Sequence, residues 1–63
     1  MSRYERIVEQ LEQIAADLDE ASFDLLQQAA ADGATERPVT DRALTQARRA
    51  VEKAAGLLRG LPE

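Results

Sequence analysis

Sixty-three residues allow a single domain, residues 1–63, with a marginal core, because a chain of this size buries only about 60% of its unfolded surface. The chain has no Cys and no His, which excludes disulfides and the usual structural zinc sites and leaves assembly as the default source of stability. The net charge of −4 disfavours nucleic acid and anionic lipid as partners, because polyanions repel an acidic surface.

The chain is expected to stay outside the membrane. No segment approaches the roughly 20 apolar residues of a membrane span, and residues 1–6 lack the apolar stretch of a signal peptide. A secreted domain this small would usually carry disulfides, so their absence favours the cytoplasm.

The first predicted element is a long amphipathic helix over about residues 3–32. Ser2 followed three residues later by Glu5 is a capping box, which predicts a helix start. Gly33 is the first residue that can adopt a left-handed C-cap without steric cost. The apolar residues of this helix recur in heptads: Tyr4, Leu11, Leu18 and Leu25, with Ile7, Ile14 and Ala21 three further on and Val8 and Ala15 beside them.

A second helix is predicted over about residues 41–59. Pro38 prevents an early restart, and Thr40 is the expected N-cap, with Val39 before it packing on Leu44 as a hydrophobic staple. The apolar residues repeat the three-four spacing: Leu44, Ala47, Val51, Ala54, Leu58 and Leu61. A connection as short as residues 33–39 predicts an antiparallel hairpin, and therefore an all-α fold.

The hairpin geometry predicts which residues lie opposite each other. A turn centred near Glu36 pairs residues whose numbers sum to about 72, which predicts an ion pair between Asp24 and Arg48. The same register predicts a buried seam at four central positions: Leu18, Leu25, Val51 and Ala54.

Part of the apolar surface has no expected partner within the chain. Helix 2 should cover residues 11–28, which leaves the start of helix 1 overhanging. Phe23 lies about 160° from Leu25 around the helix and cannot face the seam; either the loop covers it, through Val39 or Ala34, or a partner does. We expect a partner, in a homodimeric four-helix bundle, at seven interface residues: Tyr4, Ile7, Val8, Leu11, Phe23, Leu26 and Ala30.

The sequence offers no recognisable catalytic, cofactor or metal site, and we expect none. With no His or Cys, groups that titrate near neutrality are missing. Glu5, Glu9 and Glu12 share a helical face, but metal sites in helical bundles pair Glu with His, so a solvated acidic face is the preferred interpretation.

A short basic stripe lies on helix 2, formed by Arg42, Arg49 and Lys53, which could contact phosphates. The stripe lacks the interleaved aromatic residues of nucleic-acid interfaces and has an acidic helix beside it. Residues 2–32 carry eight acidic side chains against two basic ones, whereas residues 40–61 carry five basic against two acidic. This asymmetry favours pairing between the helices.

The stretch Tyr4-Glu5, Ile7-Val8, Leu11-Glu12, Ile14 and Leu18-Asp19 resembles the first helix of the small subunit of exonuclease VII, itself a helical hairpin. The resemblance covers about a quarter of the chain and implies an accessory subunit. That family breaks its helix at a Gly followed by a Leu-rich turn, whereas here Ala21, Ser22 and Phe23 continue the helix to Gly33.

The function expected from the sequence is therefore that of a non-catalytic interaction or scaffold protein, acting as a homodimer or on a larger protein partner. Two alternatives stay open. One is an accessory subunit of a larger protein or enzyme complex, and the other is a nucleic-acid-associated protein.

Overall fold

Two antiparallel helices form the fold. The computed structural model describes residues 2–33 and 39–62, in which α1 spans Arg3–Ala31 and α2 spans Val39–Arg59. No strand occurs within these two ranges. The predicted all-α hairpin is confirmed.

Local backbone chemistry sets the ends of α1. The Ser2 hydroxyl accepts a hydrogen bond from the Glu5 backbone N–H at 3.1 Å, which satisfies one donor of the first turn. At the other end the Asp32 and Gly33 N–H groups donate to the carbonyls of Gln28 and Ala30. Gly33 has a φ of +84°, the left-handed conformation predicted for it.

The start of α2 differs from the prediction. Thr40 is the second residue of the helix and not its cap, because the helix begins at Val39. The Val39 side chain is 79% exposed, so it does not pack as a staple on Leu44. Residues 34–38, which include Ala34 and the expected turn centre Glu36, lie outside the described ranges.

The seam between the helices is rolled relative to the prediction. The buried residues in the described ranges are Ala15, Ala55 and Asp41. Half-buried residues continue their spacing of three and four: Val8, Leu11, Leu18, Ser22, Leu25 and Ala29 on α1, and Leu44, Arg48, Val51 and Leu58 on α2. The ion pairs of Glu12 with Arg59 and of Asp19 with Arg48 join the two helices, so opposite residues have numbers that sum to about 70.

The predicted core residues are therefore only partly right. Leu18, Leu25 and Val51 lie in the seam but are half-buried, and Ala55 occupies the fully buried place expected for Ala54. Averaged over the seam positions of α2, at 100° per residue, the observed seam lies about 60° around the helix axis from the predicted seam. The cause is that the tightest contacts use small residues, which let the two helices approach closely.

The predicted ion pair between Asp24 and Arg48 is wrong. Arg48 pairs instead with Asp19, one turn and a half earlier in α1. Asp24 lies two residues after the seam position Ser22, on the outer side of α1, where its exposed side chain points away from α2.

The hairpin is a single layer of helices. Its Cα atoms extend 51 × 16 × 10 Å, so the molecule is one helix thick over its whole length. Domains normally bury their apolar surface between at least two layers, and here both broad faces of the only layer face solvent. In the described ranges neither helix has an apolar window long enough to cross a bilayer.

Candidate interaction surfaces

One broad face of the hairpin carries the ion pairs that join the helices. Arg59 on α2 pairs with Glu12 on α1, and Arg48 pairs with Asp19. Glu12 and Asp19 are seven residues apart, as are Glu52 and Arg59, so these charges follow one edge of the seam. We call the surface formed by Glu12, Asp19, Arg48, Glu52 and Arg59 the ion-pair face.

Arg48 connects two carboxylates on this face. Its Nε lies 2.5 Å from Asp19 Oδ1, and its Nη2 lies 3.9 Å from Glu52 Oε1, one turn further along α2. The guanidinium therefore lies between an acidic residue of each helix and offsets the repulsion that those carboxylates would otherwise exert at the same level. Because these side chains are 37–55% exposed, the pairs contribute register more than stability.

The opposite broad face is apolar. On α1 it consists of the residues directly before Val8, Ala15 and Ser22, and on α2 of the residues directly before the seam positions from Arg48 onward, together with the half-buried leucines of the seam. Ile14 is 46% exposed, Leu57 is 66% exposed and Leu61 is 45% exposed. We call this surface the leucine face; its members are Ile7, Leu11, Ile14, Leu18, Ala21 and Leu25 on α1, and Leu44, Ala47, Ala50, Val51, Ala54, Leu57, Leu58 and Leu61 on α2.

The seven predicted interface residues do not lie on one surface. Ile7 and Leu11 belong to the leucine face, and Tyr4, which is 40% exposed, lies one heptad before Leu11. Val8 lies in the seam, and Phe23, Leu26 and Ala30 lie on the side of the ion-pair face, since Leu26 follows Asp19 by seven residues.

Phe23 lies in an acidic environment. It is 60% exposed and shares a shallow cleft on α1 with Asp19, Glu20 and Asp24. Within the described ranges no loop residue buries it, so the suggestion that Val39 covers it is not supported. A single apolar ring between carboxylates is a poor centre for an apolar interface.

The predicted overhang of α1 is shorter than expected. Tyr4 and Val8 line a groove together with Leu58 and Leu61, at the end of α2. This corrects the expectation that helix 2 ends before it reaches these residues. The physical reason is the register, because a sum near 70 and the turn after Arg59 bring Leu61 level with the second turn of α1.

The charged residues that could suggest other functions lie on separate parts of the hairpin. The described ranges hold no group of three or more acidic side chains arranged to bind a metal ion. Arg42, Arg49 and Lys53 are exposed on α2, on its outer side. The carboxylates of Glu5 and Glu9 border the groove at the end of the hairpin.

Sequence reasoning missed the leucine face because it placed Ile14, Ala21, Ala47 and Ala54 in the seam. A signal was nevertheless present in α2. Ala43, Ala50 and Leu57 form a further heptad row beside Ala47, Ala54 and Leu61, so the helix carries more apolar surface than one neighbouring helix can cover.

No protein-family model, no curated protein and no solved structure matches this chain.

Proposed function

We propose that the chain is a non-catalytic helical interaction or scaffold module that works as a homodimer, two hairpins forming a four-helix bundle. The observation that carries the proposal is the surface left open by the hairpin. Only Ala15, Ala55 and Asp41 are buried in the described ranges, while Ile14, Leu57 and Leu61 remain largely exposed.

The area of this surface supports a second layer. A compact monomer of 6.9 kDa exposes about 4,000 Å², whereas the hairpin exposes 4946 Å². The excess is about 950 Å², close to the roughly 800 Å² that each partner contributes to a stable protein interface. A second hairpin would bury an amount of this size.

The absence of His and Cys also supports a function through contact and not through chemistry, because histidine, the most frequent general acid or base near neutral pH, and the cysteine nucleophile are missing. A cytoplasmic location is part of the same proposal. It rests on a cysteine-free composition in so small a domain.

Solution mass against concentration tests this proposal. Sedimentation equilibrium of the purified chain from about 1 to 100 µM should give twice the chain mass of 6.9 kDa at the upper concentrations, with mass and helicity that fall together on dilution. A folded monomer across that range contradicts the proposal. A monomer with little helix favours the alternative of an accessory subunit, which folds on a larger protein.

A further inference from the structure

We propose that the second copy covers the leucine face, with α1 of each hairpin lying over α2 of the other and Asp17 beside Lys53 of the partner subunit. This inference rests on the proposed homodimer and adds which surface is used and how the subunits are oriented.

The faces differ in what burial would cost. The ion-pair face presents Glu12, Asp19 and Arg59, whose desolvation in an interface would be costly. The leucine face has no charged residue among its members, so covering it removes apolar surface from water without stripping ions of their hydration. A second copy therefore gains most on the leucine face.

Small residues allow close approach there. Ala47, Ala50 and Ala54 give α2 a thin surface on this side, between Leu44 and Leu57 of the same helix. A helix of the partner can therefore pack nearer than the usual 8–10 Å between axes. Its isoleucine and leucine side chains then fill the space above the alanines.

The rims of the leucine face select the orientation. In the middle of α1 the rim is acidic, with Asp17 and Asp24 one turn from the apolar row, and on the α2 side it carries Lys53. Placing α1 over α1 of the partner would bring two acidic rims together. Placing α1 over α2 of the partner brings opposite charges together.

The levels then match. In this orientation the two-fold axis runs parallel to the helices, so each residue of the partner lies at the same height as in the first subunit. Residues of α1 and of the partner's α2 that lie opposite each other therefore also have numbers that sum to about 70. Asp17 and Lys53 sum to 70. Asp17 already accepts a hydrogen bond from the Gln13 side chain at 3.0 Å, which holds its carboxylate on the rim.

Two alanine variants test the choice of face. Ala47 on the leucine face and Ala16 on the other side are both exposed in mid-helix, so Arg at either position leaves the single hairpin intact. Ala47→Arg should raise the dimer dissociation constant about tenfold or more, measured by sedimentation, and Ala16→Arg should leave it unchanged. The reverse result overturns the leucine face, although the homodimer stands; a monomeric wild type overturns the proposed function itself.

Cross-linking tests the orientation, because the chain has no Cys to interfere. Ala21→Cys and Ala47→Cys each place one thiol on the leucine face. A disulfide-linked dimer should form when the two variants are mixed under mild oxidation, and not with either alone. Linkage of Ala21→Cys to itself would instead show α1 over α1 and overturn the proposed orientation.

A charge exchange tests the rim pair. Asp17→Lys and Lys53→Asp should each weaken the dimer several-fold at low salt, and the double variant should restore the wild-type dissociation constant. Additive weakening in the double variant would overturn the pairing.

Discussion

Glu12 and Arg59 form an ion pair although 47 residues separate them in the chain. The contact joins the third turn of α1 to the last residue of α2, and so it fixes the level at which the two helices meet. It belongs to the same edge of the seam as the pair between Asp19 and Arg48.

The first prediction concerns the energy of this pair. Glu12→Gln should lower the free energy of unfolding by less than about 1 kcal/mol, because both side chains are well exposed and screened by solvent. The difference from wild type should vanish in about 1 M salt. Urea unfolding at fixed protein concentration measures it, with the exposed Glu20→Gln as the control; a loss of several kcal/mol would show a role beyond the ion pair.

A pair of glycine variants should have opposite effects. Gly33→Ala should destabilise the chain by about 1–2 kcal/mol, because the left-handed backbone at φ +84° is costly for a residue with a Cβ. Gly56→Ala should stabilise by about 0.5–1 kcal/mol, since it lies inside α2 with open space around it. Thermal unfolding monitored by circular dichroism compares them. Equal effects would contradict the helix ends described here.

The tightest point of the seam should resist enlargement. Ala55 is 1% exposed in the seam, so Ala55→Leu should cost about 1–3 kcal/mol by forcing the helices apart. Ala16→Leu, on the exposed side of α1, should change stability by no more than about 0.5 kcal/mol. If both variants unfolded at the same urea concentration, Ala55 would not lie in the seam.

Two exposed apolar residues should differ in their effect on assembly. Ile14→Glu would bury a charge under the second hairpin and should give a monomer. Phe23→Glu, which changes the more exposed residue of the two, should remain a dimer, because Phe23 lies among carboxylates on the other side. Light scattering at the same concentration distinguishes the two. A monomeric Phe23→Glu with a dimeric Ile14→Glu would restore the interface first expected from the sequence.

The ends of α1 could be predicted from sequence because their signals are local. Ser2 and Gly33 act within one helical turn, through a hydroxyl acceptor and a left-handed backbone, and both are where the residue types require. The start of α2 was less certain because Thr40 and Val39 offer neighbouring starts.

The rotation of each helix about its axis could not be predicted, because apolar residues occur both in the seam between the helices and on the open leucine face. The seam accepts Asp41 and Arg48 on α2, whereas Ile14 and Leu61 remain open on the leucine face. If every apolar row is assigned to the contact between α1 and α2, the larger apolar residues of both helices are therefore predicted to lie in the seam. The predicted seam direction on α2 is wrong by about 60° because the prediction assumed that each helix buries its apolar surface only against the other helix of the hairpin.

The thickness of one helix also determines how the chain melts. The heat capacity and enthalpy of unfolding increase with the surface that becomes exposed to water. The leucines of a single hairpin are already partly exposed when it is folded, so its unfolding exposes little additional surface. Heat absorbed by a lone hairpin should be spread over a wide range of temperature. A steep thermal transition, and any loss of structure on cooling, is expected only for the dimeric bundle.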